Sequence, residues 1–129
     1  MTITIPAQGR MLDDTQVAKP SRVNEHSVPT WMRRRMIHAF PGHGDSNSGT
    51  ACVLRAAKAV RADWLVNWGS TKYDGRSAFV AEPRKLSEHS LKSINEFAFR
   101  LDVRWLLCAN TWSNPGAAVR ILFYKPENT

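Results

Sequence analysis

From residue 50 onward the chain switches twice between a helical and a strand-like hydrophobic period, and that alternation restricts the fold more than any other feature. Val53, Leu54, Ala57 and Val60 fall on one face of a 3.6-residue repeat, which predicts a helix opening near Thr50 after cap-type residues. Trp64 to Trp68 then alternates as a strand, Gly69 to Arg76 is turn chemistry ending in Asp74-Gly75, and Ser77 to Glu82 returns as a second strand before Pro83. Ser87 is a good N-cap for a second helix, with Leu86 and Leu91 at hydrophobic-staple spacing and Leu91, Ile94, Phe97, Ala98 and Leu101 on its buried face. Arg104 to Thr111 and Ala117 to Lys125 read as two further strands, joined through Asn114-Pro115-Gly116 as a type II turn.

The expected fold is therefore α+β. Two helix-strand-strand units form a four-stranded antiparallel sheet with two helices on one face, preceded by a mobile N-terminal arm. The units share Val60-Arg61-x-Asp63 and Phe99-Arg100-x-Asp102, a loose likeness that hints at duplication. Unrelated folds share such a repeat, so it carries no function. Period-two counting puts Trp64, Val66, Trp68, Trp105, Leu107, Val119, Ile121 and Phe123 against the helices. The opposite set is Leu65, Asn67, Arg104, Leu106, Cys108, Asn110, Arg120, Leu122 and Tyr124, a mixed face that is half covered or holds a partner.

Three segments follow in order: a flexible arm at 1–30, a basic segment with a Gly-rich loop at 31–49, and the compact domain at 50–126. The arm has no aromatic residue, three prolines and charges that cancel. Such a stretch cannot offset an ordering entropy of about 1–2 kcal/mol per residue. Thr2 to Ile5 is its one alternating piece, a candidate edge strand. With every core position expected beyond residue 50, residues 1–28 are expected to be dispensable for folding.

Charge narrows the function. Eighteen Lys and Arg against eleven Asp and Glu give +7 over 129 residues. A DNA mimic is disfavoured and anionic partners remain, either nucleic acid or an acidic protein surface. Apolar runs are too short to span a bilayer and no signal peptide is legible, so a cytoplasmic location without membrane attachment is expected. Cys52 and Cys108 lie in apolar segments without metal-ligand spacing and read as buried thiols in a reducing compartment.

The basic clusters are the strongest functional signal. Arg33, Arg34 and Arg35 suit phosphate through planar paired bonds, Arg55, Lys58 and Arg61 form a helical stripe, and Lys72, Tyr73 and Arg76 sit where a loop would enter a groove. Trp64, Trp68 and Trp105 fall on the core side, which leaves Trp31 and Trp112 as candidates for base stacking. The leading expectation is a small non-enzymatic protein that holds a nucleic-acid backbone without strong sequence readout. The alternative is an inhibitor or adaptor that docks on another protein through the arm and the open face, using Trp31, Arg104, Asn110, Trp112, Arg120 and Tyr124. The open face also allows a homodimer.

Enzymatic signals are weak. Gly44 and Gly49 have phosphate-loop spacing with Thr50 following, but the lysine is missing and no buried strand precedes. His38, His43 and Asp45 offer three metal ligands, or a base beside Ser46, on a segment holding Pro41, Gly42 and Gly44 rather than a rigid frame. No cofactor and no catalytic group is expected.

Overall fold

The computed structural model describes residues 11–13, 26–42, 47–109 and 119–126. Element order is β1 (Met11–Asp13), α1 (Thr30–Ala39), α2 (Gly49–Val60), β2 (Asn67–Tyr73), β3 (Arg76–Glu82), α3 (Glu88–Leu101), β4 (Arg104–Ala109) and β5 (Arg120–Tyr124). The sheet order is β1-β4-β5-β3-β2. Four strands are antiparallel, and the short β1 lies parallel along β4. The fold is α+β with three helices, one more than the sequence pattern predicts.

Local chemistry explains the element boundaries. Asp74 and Gly75 have φ of 52° and 75° between the Tyr73↔Arg76 pair, the two positive values that a type I′ hairpin needs. Only those two residues turn. The expected turn from Gly69 onward is corrected, because residues 69–73 continue β2 in register with β3. Ser87 caps α3 by accepting the Ser90 N–H, as expected, and Ser48 caps α2 through Ala51 N–H.

Both α2 and α3 end on a left-handed non-glycine residue, Arg61 at φ 52° and Asp102 at φ 53°. Aligning these caps shifts the internal likeness by two positions: Arg61 matches Asp102, and Trp64 matches Trp105. Both tryptophans are buried, and both donate their indole N–H to α3: Trp64 to Ser93 Oγ at 2.9 Å, Trp105 to Asn95 Oδ1 at 3.2 Å.

That cap also displaces the first strand. A strand from Trp64 is corrected: after the αL residue, Asp63 and Leu65 N–H groups bond back to Arg61 and Ala62 carbonyls, and β2 begins only at Asn67. The alternation assumed across 64–68 therefore breaks. Leu65 is buried in the main core and Val66 is exposed, the reverse of the sequence assignment.

The main core lies between the helices and one sheet face. Phe123 stands at its centre, with ring centroids 5.0 Å from Phe97, 5.6 Å from Trp64 and 6.0 Å from Phe79. Met32, Met36 and Phe40 are buried in the same cluster. This corrects the expectation that the core begins beyond residue 50: the i, i+4 methionines give α1 an inward face of its own.

The contact reaches further upstream. His26 stacks on Trp68 at 4.1 Å, Ser27 Oγ accepts the Ser70 N–H at 3.1 Å, and Val28 packs on the core. A boundary at residue 28 or 30 thus cuts through packed structure. The edge strand expected at 2–5 lies outside the described residues.

The second sheet face carries a smaller cluster of Ala78, Leu106, Cys108 and Leu122, all buried, with Tyr73 and Tyr124 packed beside it. The face read as mixed thus has a buried apolar centre. Both cysteines are buried. No helix among the described residues is long and apolar enough to cross a membrane.

Two stability tests follow from this packing. Phe97→Ala removes a ring from the aromatic centre and is expected to cost about 3–5 kcal/mol in urea unfolding. Ser93→Ala deletes only a hydroxyl, yet strands a buried indole N–H and the Val60 carbonyl, so a loss of about 1–3 kcal/mol is expected. Lys92→Ala, one residue away and exposed, serves as the near-silent control.

Candidate nucleic-acid interface

Successive helical side chains point about 100° apart, so a run of three arginines on a helix cannot form one patch. Arg33 reaches toward α2 and donates to the Asn47 carbonyl at 3.3 Å. Arg34 is exposed on the outer side of α1. Arg35 turns toward α3 and donates from Nη1 to the carbonyls of Leu101 and Asp102, where the helix leaves its last C=O groups without partners. The expected anchor of three adjacent cations thus divides into one exposed charge and two structural ties.

Arg55 is a tie of the same kind. Nε donates to the Phe40 carbonyl and Nη2 to Asn47 Oδ1, both at 3.2 Å. A Cβ built on Gly42 would stand 2.5 Å from this guanidinium, so the close approach of backbone to arginine requires glycine there unless Arg55 moves. The Gly-rich segment predicted as a loop is therefore pinned at its start to α2. Arg55 consequently leaves the expected basic stripe. The exposed line on α2 is Leu54, Lys58 and Arg61, spaced i, i+4, i+7 and opposite the buried Cys52, Val53, Ala56 and Val60.

The hairpin residues divide as well. Lys72 pairs with Ser77 in register, on the same sheet face as Trp68 and Phe79 and toward the helices. Tyr73 and Arg76 form the next pair and point to the opposite face. There Tyr73 packs on Tyr124 at 4.9 Å between centroids. Lys72 and Arg76 are both exposed but cannot grip one ligand together from opposite faces.

Of the residues expected to dock through the open face, Arg104, Arg120 and Tyr124 share one sheet face by register. Arg104 is exposed opposite Tyr124. Arg120 is half-buried with its Nε 3.8 Å from Glu82. Trp31 belongs to the helix side, and Asn110 and Trp112 lie outside the described residues. His38 is exposed on α1, whereas His43 and Asp45 also lie outside them. Among the described residues, no group of three His, Cys, Asp or Glu side chains is placed to hold a metal.

Trp31 is engaged rather than free for stacking. Its indole N–H donates to Ser77 Oγ at 3.2 Å, the Arg35 guanidinium stands 5.4 Å from the ring centroid, and Lys125 Nζ stands 5.7 Å from it. Lys125 and Ser77 were missed by reading clusters along the chain. Period-two counting from Phe79 and from Phe123 puts each of them on the helix side, but not beside Trp31.

His89 and Lys92 were also missed. With Arg61 and Glu96 they line a groove of about 190 Å³ between the end of α2 and α3, where His89 Nε2 lies 3.2 Å from the Arg61 carbonyl. Compared with protein-family models, curated proteins and solved structures, the chain matches none.

Because Arg55 bonds across the α1–α2 connection, Arg55→Ala is expected to lower stability by about 1–3 kcal/mol in chemical denaturation. Arg34→Ala, which removes an exposed charge only, is expected to stay within about 0.5 kcal/mol of the parent protein.

Proposed function

We propose that this protein is a non-enzymatic binder of a nucleic-acid backbone that reads charge rather than sequence. The observation that carries the proposal is a partition of its cations. Arg33, Arg35 and Arg55 are consumed by carbonyls and an amide within the fold. Arg34, Lys58, Arg61, Lys72 and Arg76 are exposed and have no ion-pair partner among the described residues. Charges that the fold does not use and no carboxylate neutralises are the ones that can displace counterions from phosphates. Contacts of exposed lysine and arginine with phosphate oxygens carry no sequence information, which supports a sequence-independent mode.

A second reading, an inhibitor or adaptor that docks on another protein, draws on a different observation. Phe99 on α3 is 86% exposed and Leu54 on α2 is 57% exposed, large apolar groups available to a partner surface. The two readings separate on salt. Backbone binding falls steeply as salt rises, whereas apolar docking does not.

Binding of single-stranded and duplex oligonucleotides should be measured by fluorescence anisotropy across a salt series. For about four phosphate contacts on duplex DNA, since Lys72 and Arg76 face opposite sides, the logarithmic slope is expected near −3.6, at roughly −0.9 per contact. Lys58→Ala with Arg61→Ala should flatten it by about 1.8 units at unchanged sequence preference. Arg55→Ala should weaken binding only in proportion to any loss of folded protein. Absence of binding at low salt would overturn the proposal and leave the docking reading in front.

A further inference from the structure

Around Trp31, four separate elements bring donors of hydrogen bonds and positive charge to one end of the sheet. Arg35 comes from α1, Lys72 from β2, Ser77 from β3, and Lys125 from just beyond β5. Two of them are placed on the tryptophan itself, with Arg35 and Lys125 at 5.4 Å and 5.7 Å from the ring centroid. Ser77 receives the indole N–H, and Lys72 stands directly across from it in the β2–β3 register. Cross-strand neighbours on one face lie about 5 Å apart at Cβ, so the Lys72 ammonium reaches the Ser77 hydroxyl easily.

The electrostatics of this arrangement are one-sided. Arg35 spends only Nη1 on the α3 carbonyls, and neither Lys72 nor Lys125 has an ion-pair partner among the described residues. The indole ring attracts each cation weakly through its quadrupole, but a ring carries no net charge to cancel theirs. A tetrahedral oxyanion satisfies what the ring cannot: lysine ammonium groups supply charge-assisted bonds, and the serine hydroxyl supplies a donor once the indole fills its lone pair.

We propose that Trp31, Ser77, Lys72 and Lys125 form a discrete site for a phosphoryl oxyanion, with Arg35 holding the tryptophan in place. The inference deepens the backbone-binding reading and rests on it for the identity of the natural phosphate. It assigns to one phosphate of a bound strand a fixed seat, where the exposed cations on α2 only track charge.

The test uses the full chain labelled with nitrogen-15, whose five tryptophans give five indole N–H signals. Trp31→Phe identifies the relevant signal. The protein is titrated in separate arms with inorganic phosphate, with sodium chloride at matched ionic strength, and with a single-stranded oligothymidylate lacking terminal phosphates. The Trp31 signal is expected to move saturably with phosphate and with the oligonucleotide, and not with chloride. Lys125→Gln and Lys72→Gln should each weaken the phosphate response by about tenfold, as loss of one charge-assisted bond implies. Lys58→Gln should leave it unchanged.

A Trp31 signal that ignores phosphate, or moves equally with chloride, overturns the site. If it stays still while the oligonucleotide binds elsewhere, the site fails and backbone binding stands. If phosphate moves it but no nucleic acid binds, the site stands, its natural ligand is a small phosphate compound, and the backbone reading fails.

Discussion

The hydroxyl of Ser93 joins three parts of this molecule that have no covalent reason to meet. It donates at 2.7 Å to the carbonyl of Val60, at the last turn of α2, and accepts at 2.9 Å from the indole of Trp64. Both bonds lie in the buried interior, where an unmet partner costs more than the bond itself is worth in water. The αL residue Arg61 follows at once, so the direction of the chain out of α2 is fixed by the same contact that seats the tryptophan. Trp64 then packs edge-on to Phe97, 5.2 Å between centroids, and against Phe123 from the sheet. The helix layer and the strand layer are thereby registered to one another through one small polar group and one large apolar one. A second serine one turn earlier reinforces the junction: Ser90 is buried and donates to both Asp63 carboxylate oxygens, beside its own N–H bond to the cap Ser87.

Arginine content is a poor measure of available charge in such a fold. A guanidinium has five donors on a long stem, and the ends of helices offer carbonyls with no partner of their own. Arg35 and Arg55 each close a helix end in this manner, α3 and α1 respectively. These contacts are made to neutral carbonyls, so the positive charge remains while the donors are spent. The electrostatic field of the protein stays basic, while the set of side chains able to grip a ligand is smaller and differently placed than the linear sequence implies.

Helix caps and the Asp74-Gly75 end of the hairpin turn were legible because they depend on neighbours in sequence, although the turn was expected to open too early, at Gly69. The strand set and the core face of α3 were legible through periodicity, which survives because burial is one-sided. What failed depends on tertiary partners. Serines at 90 and 93 count as polar in any periodic scheme, yet buried donors and acceptors make them core residues. Trp64 and Leu65 looked like strand residues because the αL cap that precedes them has no sequence signature at Arg61, a residue that pays conformational energy to sit there. The helix at 30–39 falls in what reads as a basic segment, because its two inward methionines four apart are interleaved with three arginines. The Trp31 cluster lay beyond sequence reading because its members come from residues 31 to 125 and meet only when the sheet forms.

Two pieces of chain ahead of α1 meet the two sides of the antiparallel sheet. Residues 11–13 lie along β4, while Ser27 takes a backbone N–H of β2 at the opposite side. A sheet margin with unoccupied amides and carbonyls is a template on which another strand, from any copy of the chain, adds by the same ladder. Residues 11–13 and Ser27 thus occupy backbone groups at both sides of the antiparallel sheet that would otherwise be open to a further strand.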